Sequence, residues 1–352
     1  LESAPIHDWL LFGTYDEGAT MAEPIKLDGI DRPCVHPETH PAAHYDRCDD
    51  LWVVTCYFNS NNFQTRRENY DRFADPIRKA GINLLTVECA FGDADFALPQ
   101  RPDTLRLRSR DVMWQKERLI NLAVARLPPN VRKVAWLDCD VLFSNPGWAV
   151  QTSALLDNAP IVQTFKTAIR LPQSHTAYSG LGEVWNGFAW VSEVVSDVFE
   201  KDYGQHGHTG FGWAARRELL DRHGLYDACI SGSGDHFMAH AMRGDLMMEC
   251  EFCPTSPRLR EHFAGWAKQF HADVAGQIRS TPGTVLHLWH GDTKDRAYSE
   301  RHEELIRLNF DPVADLKLDG NGLWEWAGDK PRLRRWMSDY FESRKEDGDQ
   351  HS

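Results

Sequence analysis

The sequence predicts an α/β fold built on a mixed, mainly parallel central sheet flanked by helices. Three observations carry that prediction. Apolar, β-branched and aromatic residues run almost unbroken over 51–58 and again over 82–91, as in strands buried on both faces. Helix-spaced stretches separate these runs from each other and from a third at 131–143. That rhythm is the one of parallel strands joined by crossover helices. No Gly/Ser linker and no internal repeat interrupts residues 50–310, so that stretch reads as one domain, with an N-terminal extension at 1–49 and a C-terminal tail at 311–352.

Taken in order, residues 1–49 are rich in Pro, His and acids and show little periodicity. They contain Cys34, His36, His40, His44 and Cys48, each a possible zinc ligand, but the spacing matches no standard Cys/His module. LWVVTCYFN is the first strand. QTRRENYDRFADPIRKAG (64–81) has helical spacing, INLLTVECAF is the second strand, and 103–108 reads as a short one. A helix is expected over 112–128, stopped by Pro128 and Pro129. VRKVAWLDCDVLF (131–143) reads as one continuous third strand. Beyond Pro146 the order is less regular. Strand character is expected over 183–193, helices over 213–224 and 235–244, a late strand over 283–291 and a helix over 296–308.

The chain has 352 residues, and 39 Lys and Arg against 52 Asp and Glu give a net charge of −13. This argues against a generalist nucleic-acid binder, whose affinity comes from cations on phosphates. Basic clusters at Arg101–Arg110 and at Lys330, Arg332, Arg334 and Arg335 leave a local groove open. Forty-two per cent hydrophobic against 26 % charged residues excludes global disorder and a membrane bundle. No apolar run approaches the roughly 18–20 residues of a membrane span, and the start lacks the pattern of a signal peptide. Eight Cys is too few for a disulfide scaffold. The thiols are read as reduced, the Cys250/Cys253 pair as structural, and the protein as cytoplasmic. Thirteen Trp suit flat apolar surfaces such as those that stack on sugar rings.

The densest chemistry lies at Asp138-Cys139-Asp140. Acids two apart on a strand share a side, and two such charges at a buried strand end call for a cation. A divalent metal with oxygen ligands, carrying a diphosphate, is the economical reading. A second segment, His287-Leu288-Trp289-His290-Gly291-Asp292-Thr293-Lys294, ends the late strand. On a regular strand His287 and His290 face opposite sides, so one of them is expected to ligate. His290 is preferred, with His287 in reserve, and Lys294 is within sequence reach of a diphosphate. A third constellation joins His208, Gly210, Phe211 and Trp213 to Gly232-Ser233-Gly234-Asp235. Glycines let backbone approach a sugar, an aromatic ring can stack on it, and an acid at a helix start can accept a proton from a hydroxyl.

These motifs, in this order, resemble the nucleotide-sugar half of GT-A-fold glycosyltransferases over about residues 51–310, with a galactosyltransferase-like C-terminal segment. The resemblance implies a Rossmann-like fold and transfer of a sugar from a nucleotide diphosphate, of the uridine type, to an acceptor hydroxyl. It implies manganese or magnesium on Asp138, Asp140 and His290. Donor contacts are expected from Thr55, Tyr57, Asn59, Glu88, Lys116, Arg118, Asn121, Asp138 and Lys294. Acceptor contacts are expected from Trp185, Asn186, His208, Gly210, Phe211 and Trp213, with Trp190 nearby, and Asp235 is the expected base. The family usually has Glu-Asp where this chain has Gly234-Asp235-His236. A saccharide or glycolipid acceptor fits the acidic chain better than modified DNA. Two other readings are a nucleotidyltransferase and a carbohydrate-binding module. The first usually has a Gly- and Lys-containing loop after the first strand, and this chain has Asn59-Ser60-Asn61-Asn62-Phe63 there. The second needs no pair of acids.

Overall fold

The computed structural model describes residues 26–27, 30–31, 38–195, 198, 206–247, 250 and 253–348. Cys34 and His36 of the candidate zinc cluster lie outside these. Two short strands, β1 (Lys26–Leu27) and β2 (Ile30–Asp31), pair antiparallel near the start.

The two strands legible from composition form as expected: β3 (Leu51–Phe58) and β4 (Asn83–Phe91), almost wholly buried and paired in parallel. Between them runs α1 (Gln64–Lys79), which turns Tyr70, Phe73, Ala74 and Ile77 inward. β5 (Thr104–Ser109) extends the sheet beside β4. The next helix, α2 (Lys116–Val124), is shorter than its periodicity suggested. The expected continuous strand at 131–143 is two strands, β6 (Lys133–Leu137) and β7 (Val141–Phe143), with a turn between them. α3 (Trp148–Leu156), β8 (Ile161–Gln163) and β9 (Thr167–Arg170) follow.

Two expectations are corrected next. Residues 183–193 split into β10 (Glu183–Asn186) and α4 (Phe188–Val194) at Gly187. Residues 213–216, read as helix, are strand β11 (Gly212–Arg216), and helix α5 begins only at Arg217 and runs to His223. Good helix formers such as Ala214 and Ala215 go into strand because β11 lies between β6 and β8, where both are fully buried. Small side chains suit that two-sided burial, and tertiary context overrides propensity.

The chain continues through α6 (Gly234–Arg243), α7 (Pro257–Val274), β12 (Ile278–Ser280) and β13 (Thr284–His287). A 3₁₀ turn at Thr293–Arg296 and α8 (Glu300–Arg307) follow. Residues 311–348 are folded onto the domain as α9 (Pro312–Asp315), β14 (Leu316–Leu318), β15 (Trp324–Trp326) and α10 (Pro331–Ser343). Leu316, Leu323, Trp326, Leu333, Met337, Tyr340 and Phe341 belong to the same apolar core as β3, β4 and β6.

The central sheet has seven strands in the order β12-β8-β11-β6-β3-β4-β5. Four of its six pairings are parallel, and only β11 runs against its neighbours. A second sheet, β10-β9-β13-β7, packs beside the first. Because β6 lies in one sheet and β7 in the other, the turn 138–140 is the crossing between them. Among the described residues no helix is long and apolar enough to cross a membrane. None of the seven described cysteines is in a disulfide. Trp136, Trp148, Trp213 and Trp326 are fully buried, so part of the tryptophan excess builds core.

Candidate functional site

The turn between the sheets places the two acids of 138–140 differently. On a strand they would share a face; on this turn they diverge. Asp138 Oδ1 lies 2.6 Å from Lys116 Nζ, at the start of α2. The same ammonium lies 2.6 Å from Oδ2 of Asp235, in the first turn of α6. One lysine therefore bridges the acid after β6 to the acid on the Gly-rich turn. Burial pushes Asp138 up, Lys116 pulls it back, and Asp235 and Asp140 push it up again, to about 6. Glu117, beside Lys116, is buried against the bare Cα of Gly234, where a Cβ would collide with its carboxyl. Burial raises that carboxyl to about 8, so it is largely protonated at neutral pH.

Asp140 turns the other way. Its Oδ2 lies 3.0 Å from His290 Nε2 and its Oδ1 3.7 Å from His287 Nε2. The expectation that only one histidine could reach this side fails because the strand ends at His287. The chain then turns, and the two Nε2 atoms approach to 3.2 Å. One ligand atom each from Asp140, His287 and His290 all lie within 4.8 Å of one another, and no other such group occurs among the described residues. His40, His44 and Cys48 form none.

These residues fit a divalent cation. Asp140 Oδ1 is buried with no hydrogen-bond partner, an arrangement that calls for an explanation. Burial pushes Asp140 up, but His290 and His287 outweigh it and hold the carboxylate well below its usual range. Burial keeps His287 well below the usual imidazole range, hence neutral and able to donate a lone pair. One carboxylate oxygen and two imidazole nitrogens suit a manganese-like metal.

A ring of arginines surrounds this group. Glu346, just after α10, lies 3.4 Å from His290 Nδ1, 3.0 Å from Arg66 and 2.6 Å from Arg344. Arg296 lies 3.1 Å from His290 Nε2. Asp347 accepts from the backbone N–H of Gln64 and Thr65, capping α1, whose own N-cap residue Phe63 offers no side-chain acceptor. None of Arg66, Arg296, Arg344 or Glu346 was singled out in the sequence. They sit in polar, helix-like stretches where a charge reads as a solvated face.

On the far side of Phe211, the His208 ring stacks on Phe211 at 3.9 Å and 7°. Phe211 in turn lies 4.6 Å from His287, and Trp185 meets His208 edge-on at 6.1 Å. Gly210 backs both this stack and Asp235: a Cβ there would lie 3.1 Å from His208 and 3.6 Å from Asp235 Oδ2. The Asn186 carbonyl accepts from the His208 N–H, holding the two segments together.

Several expected contacts are committed elsewhere. Thr55 is fully buried and donates to the Leu137 carbonyl. Tyr57 is buried edge-on against Tyr70. Asn59 closes its own turn by bonding Phe63 at both backbone groups. Glu88 accepts from the Leu98 N–H and lies 3.4 Å from Arg106. Arg118 and Asn121 both bind Asp227. Trp213 is fully buried in the sheet, its N–H on the Thr209 carbonyl. Lys294 is exposed and pairs with Asp292; Arg296, two residues on, is the cation that turns inward. Trp190 is covered by Lys166 at 4.0 Å.

No protein-family model matches the chain, and no curated protein matches it. Among solved structures it is similar to the catalytic domain of Drosophila β1,4-galactosyltransferase 7, crystallised with xylobiose. The identity is 12 %, over 82 % of this chain and 98 % of that one, with a TM-score of 0.37. It is similar to mannosyl-3-phosphoglycerate synthase from Rubrobacter xylanophilus at 11 % identity, over 79 % and 85 %, TM-score 0.35. A third likeness is 4-diphosphocytidyl-2C-methyl-D-erythritol synthase from Anaerococcus prevotii, at 10 %, over 67 % and 90 %, TM-score 0.30.

Proposed function

We propose that this chain is a metal-dependent glycosyltransferase of the GT-A class. It moves a sugar from a nucleotide-diphosphate donor, UDP-linked, to a hydroxyl of a saccharide or glycolipid acceptor. The observation that carries the reading is the pairing, on one turn between two sheets, of a three-ligand metal group with an acid–lysine–acid bridge. Asp140, His287 and His290 would hold manganese or magnesium. A divalent cation there supplies Lewis-acid stabilisation of a leaving diphosphate.

The chain's own residues divide the rest of the work. Asp235 is positioned by Lys116 and by the start of α6, next to Gly210, where backbone can come close to a sugar. In an inverting transfer the acceptor oxygen bonds to the anomeric carbon while the bond from that carbon to the phosphate oxygen breaks. The electron pair leaves with the nucleoside diphosphate, and the hydroxyl proton passes to Asp235. In a retaining transfer Asp235 positions the acceptor only. Lys116 holds Asp138 and Asp235 at fixed separation, so the donor and acceptor sides share one cation. The His208 ring, backed by Phe211, and Trp185 offer flat faces to the acceptor ring.

Titration calorimetry of UDP with and without Mn2+ tests this. UDP binding that requires the metal, and is lost in Asp140→Asn, is expected. A mass-spectrometric screen of nucleotide sugars for donor hydrolysis then names the donor. Metal-independent UDP binding, or normal donor turnover by Asp140→Asn, would overturn the reading.

A further inference from the structure

Tyr298 lies between the 3₁₀ turn and α8, and four guanidiniums act on it: Arg170, Arg296, Arg301 and Arg344. Arg301 lies 4.8 Å and Arg170 5.9 Å from its ring. Two of the four are balanced, Arg170 by Glu183 at 3.1 Å and Arg344 by Glu346. The other two have no carboxylate partner among the described residues. Arg296 leans on His290, and Arg301 donates to the Tyr340 hydroxyl and to Ser233 Oγ. Arg301 is only 5 % exposed, and the Nε atoms of both are buried without a hydrogen-bond partner.

Burying an uncompensated guanidinium is costly, and its effect shows on the neighbouring phenols. Burial pushes Tyr298 up, yet Arg296, Arg170, Arg301 and Arg344 outweigh it and bring it down to about 7. Tyr340 is lowered by Arg301 and Arg344, again against burial. The phenols stand in for an anion that the protein does not supply.

Arg296 borders the metal group at His290, and the other side of the cluster meets the acceptor-side segments. Arg301 packs under the Gly232–Asp235 turn, with its Nη1 3.1 Å from where a Gly232 Cβ would be. Arg170 reaches His208 Nε2 at 3.1 Å. Both contacts are to the acceptor-side segments. A divalent cation at Asp140 offsets the two charges of a sugar-linked diphosphate, so Arg296 and Arg301 stay unbalanced when the donor is bound.

We propose that Arg296, Arg301 and the Tyr298 hydroxyl form a subsite for a phosphate monoester carried by the acceptor. Two unbalanced guanidiniums match a dianion, and the arginine fork suits tetrahedral oxyanions. A carboxylate would balance only one. This rests on the glycosyltransferase reading and names its acceptor class.

The test titrates inorganic sulfate, a dianion, into the full chain already saturated with Mn2+ and UDP, with sodium acetate in a parallel arm. One sulfate is expected to bind beside UDP, with a fall in the ultraviolet phenolate band as Tyr298 regains its proton. Tyr298→Phe should lose that band, and Arg301→Gln should weaken sulfate by about tenfold or more. Arg296→Gln, at a half-buried position, gives the same comparison should Arg301→Gln not fold. Sulfate displacing UDP would assign the guanidiniums to the donor diphosphate and overturn the proposal. Equal binding by wild type and both variants, no sulfate binding, or acetate binding as well as sulfate would overturn it too. Absence of UDP binding with Mn2+ would instead sink the glycosyltransferase reading, and sulfate titrated alone would still report on the arginine cluster.

Discussion

Replacing Lys116 with Met removes one ammonium that serves two carboxylates. The Lys116 side chain is 8 % exposed, and those of Asp138 and Asp235 are 25 % and 15 % exposed. Each carboxylate oxygen is 2.6 Å from the nitrogen, so the two oxygens are at most about 5 Å apart. At an effective dielectric of about 20, two unit charges at that separation repel by about 3 kcal/mol. Breaking a buried pair from one side costs about 3–5 kcal/mol, and the variant should lose that much at pH 8. The sign with pH follows from the acids. Asp138 already stands at about 6, above its unfolded value of about 3.9, and losing the ammonium moves it further up. Acids whose folded pKa is raised destabilise the fold above that pKa and release the penalty as pH falls. Urea unfolding of wild type and variant at pH 8 and pH 5 reads this directly. The deficit should shrink by about half or more at pH 5, and Asp138→Asn added to the variant should restore much of it at pH 8. A deficit below about 1 kcal/mol at pH 8, or one equal at both pH values, would refute the bridge as the organising contact.

Further predictions address the neighbouring groups. Asp140→Asn should weaken Mn2+ in calorimetry by more than the about 10–100-fold typical of losing an outer-shell partner, whereas Asp138→Asn should leave the metal bound; equal losses would return both acids to the metal. Glu346→Gln strips the shared carboxylate from Arg66 and Arg344, which are 11 % and 4 % exposed. It should cost about 3–5 kcal/mol in denaturant unfolding, and a neutral result would count against the clasp. Burial holds His206 at about 4 and His302 at about 3, with His236 well below its usual range. A depressed histidine adds nothing above its unfolded value of about 6.5 and penalises the fold progressively below it. Urea midpoints should therefore fall from pH 7 to pH 4.5, three histidines outweighing the opposite trends of Asp138 and Glu117, and His206→Gln should flatten that slope.

The parts of the fold visible in the sequence are those fixed by burial on both faces. Leu51–Phe58 and Asn83–Phe91 are short, mostly apolar runs rich in β-branched and aromatic residues, the make-up of a strand buried on both faces. The acids at 138 and 140 were visible because charge beside such a run is expensive. Their divergence was not visible, since a turn of three residues between two strands keeps the same apolar flanks as one strand of thirteen. The same change hid the convergence of His287 and His290. Ala214 and Ala215 misled because alanine's helix preference is worth only tenths of a kcal/mol, less than a place between two strands. Arg66 and Arg301 were invisible for a different reason: Glu346, Ser233 and Tyr340, which they meet, lie far away in the chain, and a local pattern holds no trace of them.

Glu346 and Asp347 have a consequence for the order of assembly. The seven strands of the central sheet all lie before residue 281, so the sheet can pair while the rest is still being synthesised. The carboxylates that seat Arg66 and cap α1 are about 280 residues away from them in sequence. A nascent chain can therefore hold its framework while the arginine ring is still loose. A carboxylate that joins after the whole sheet is what turns a loose set of arginines into a fixed ring.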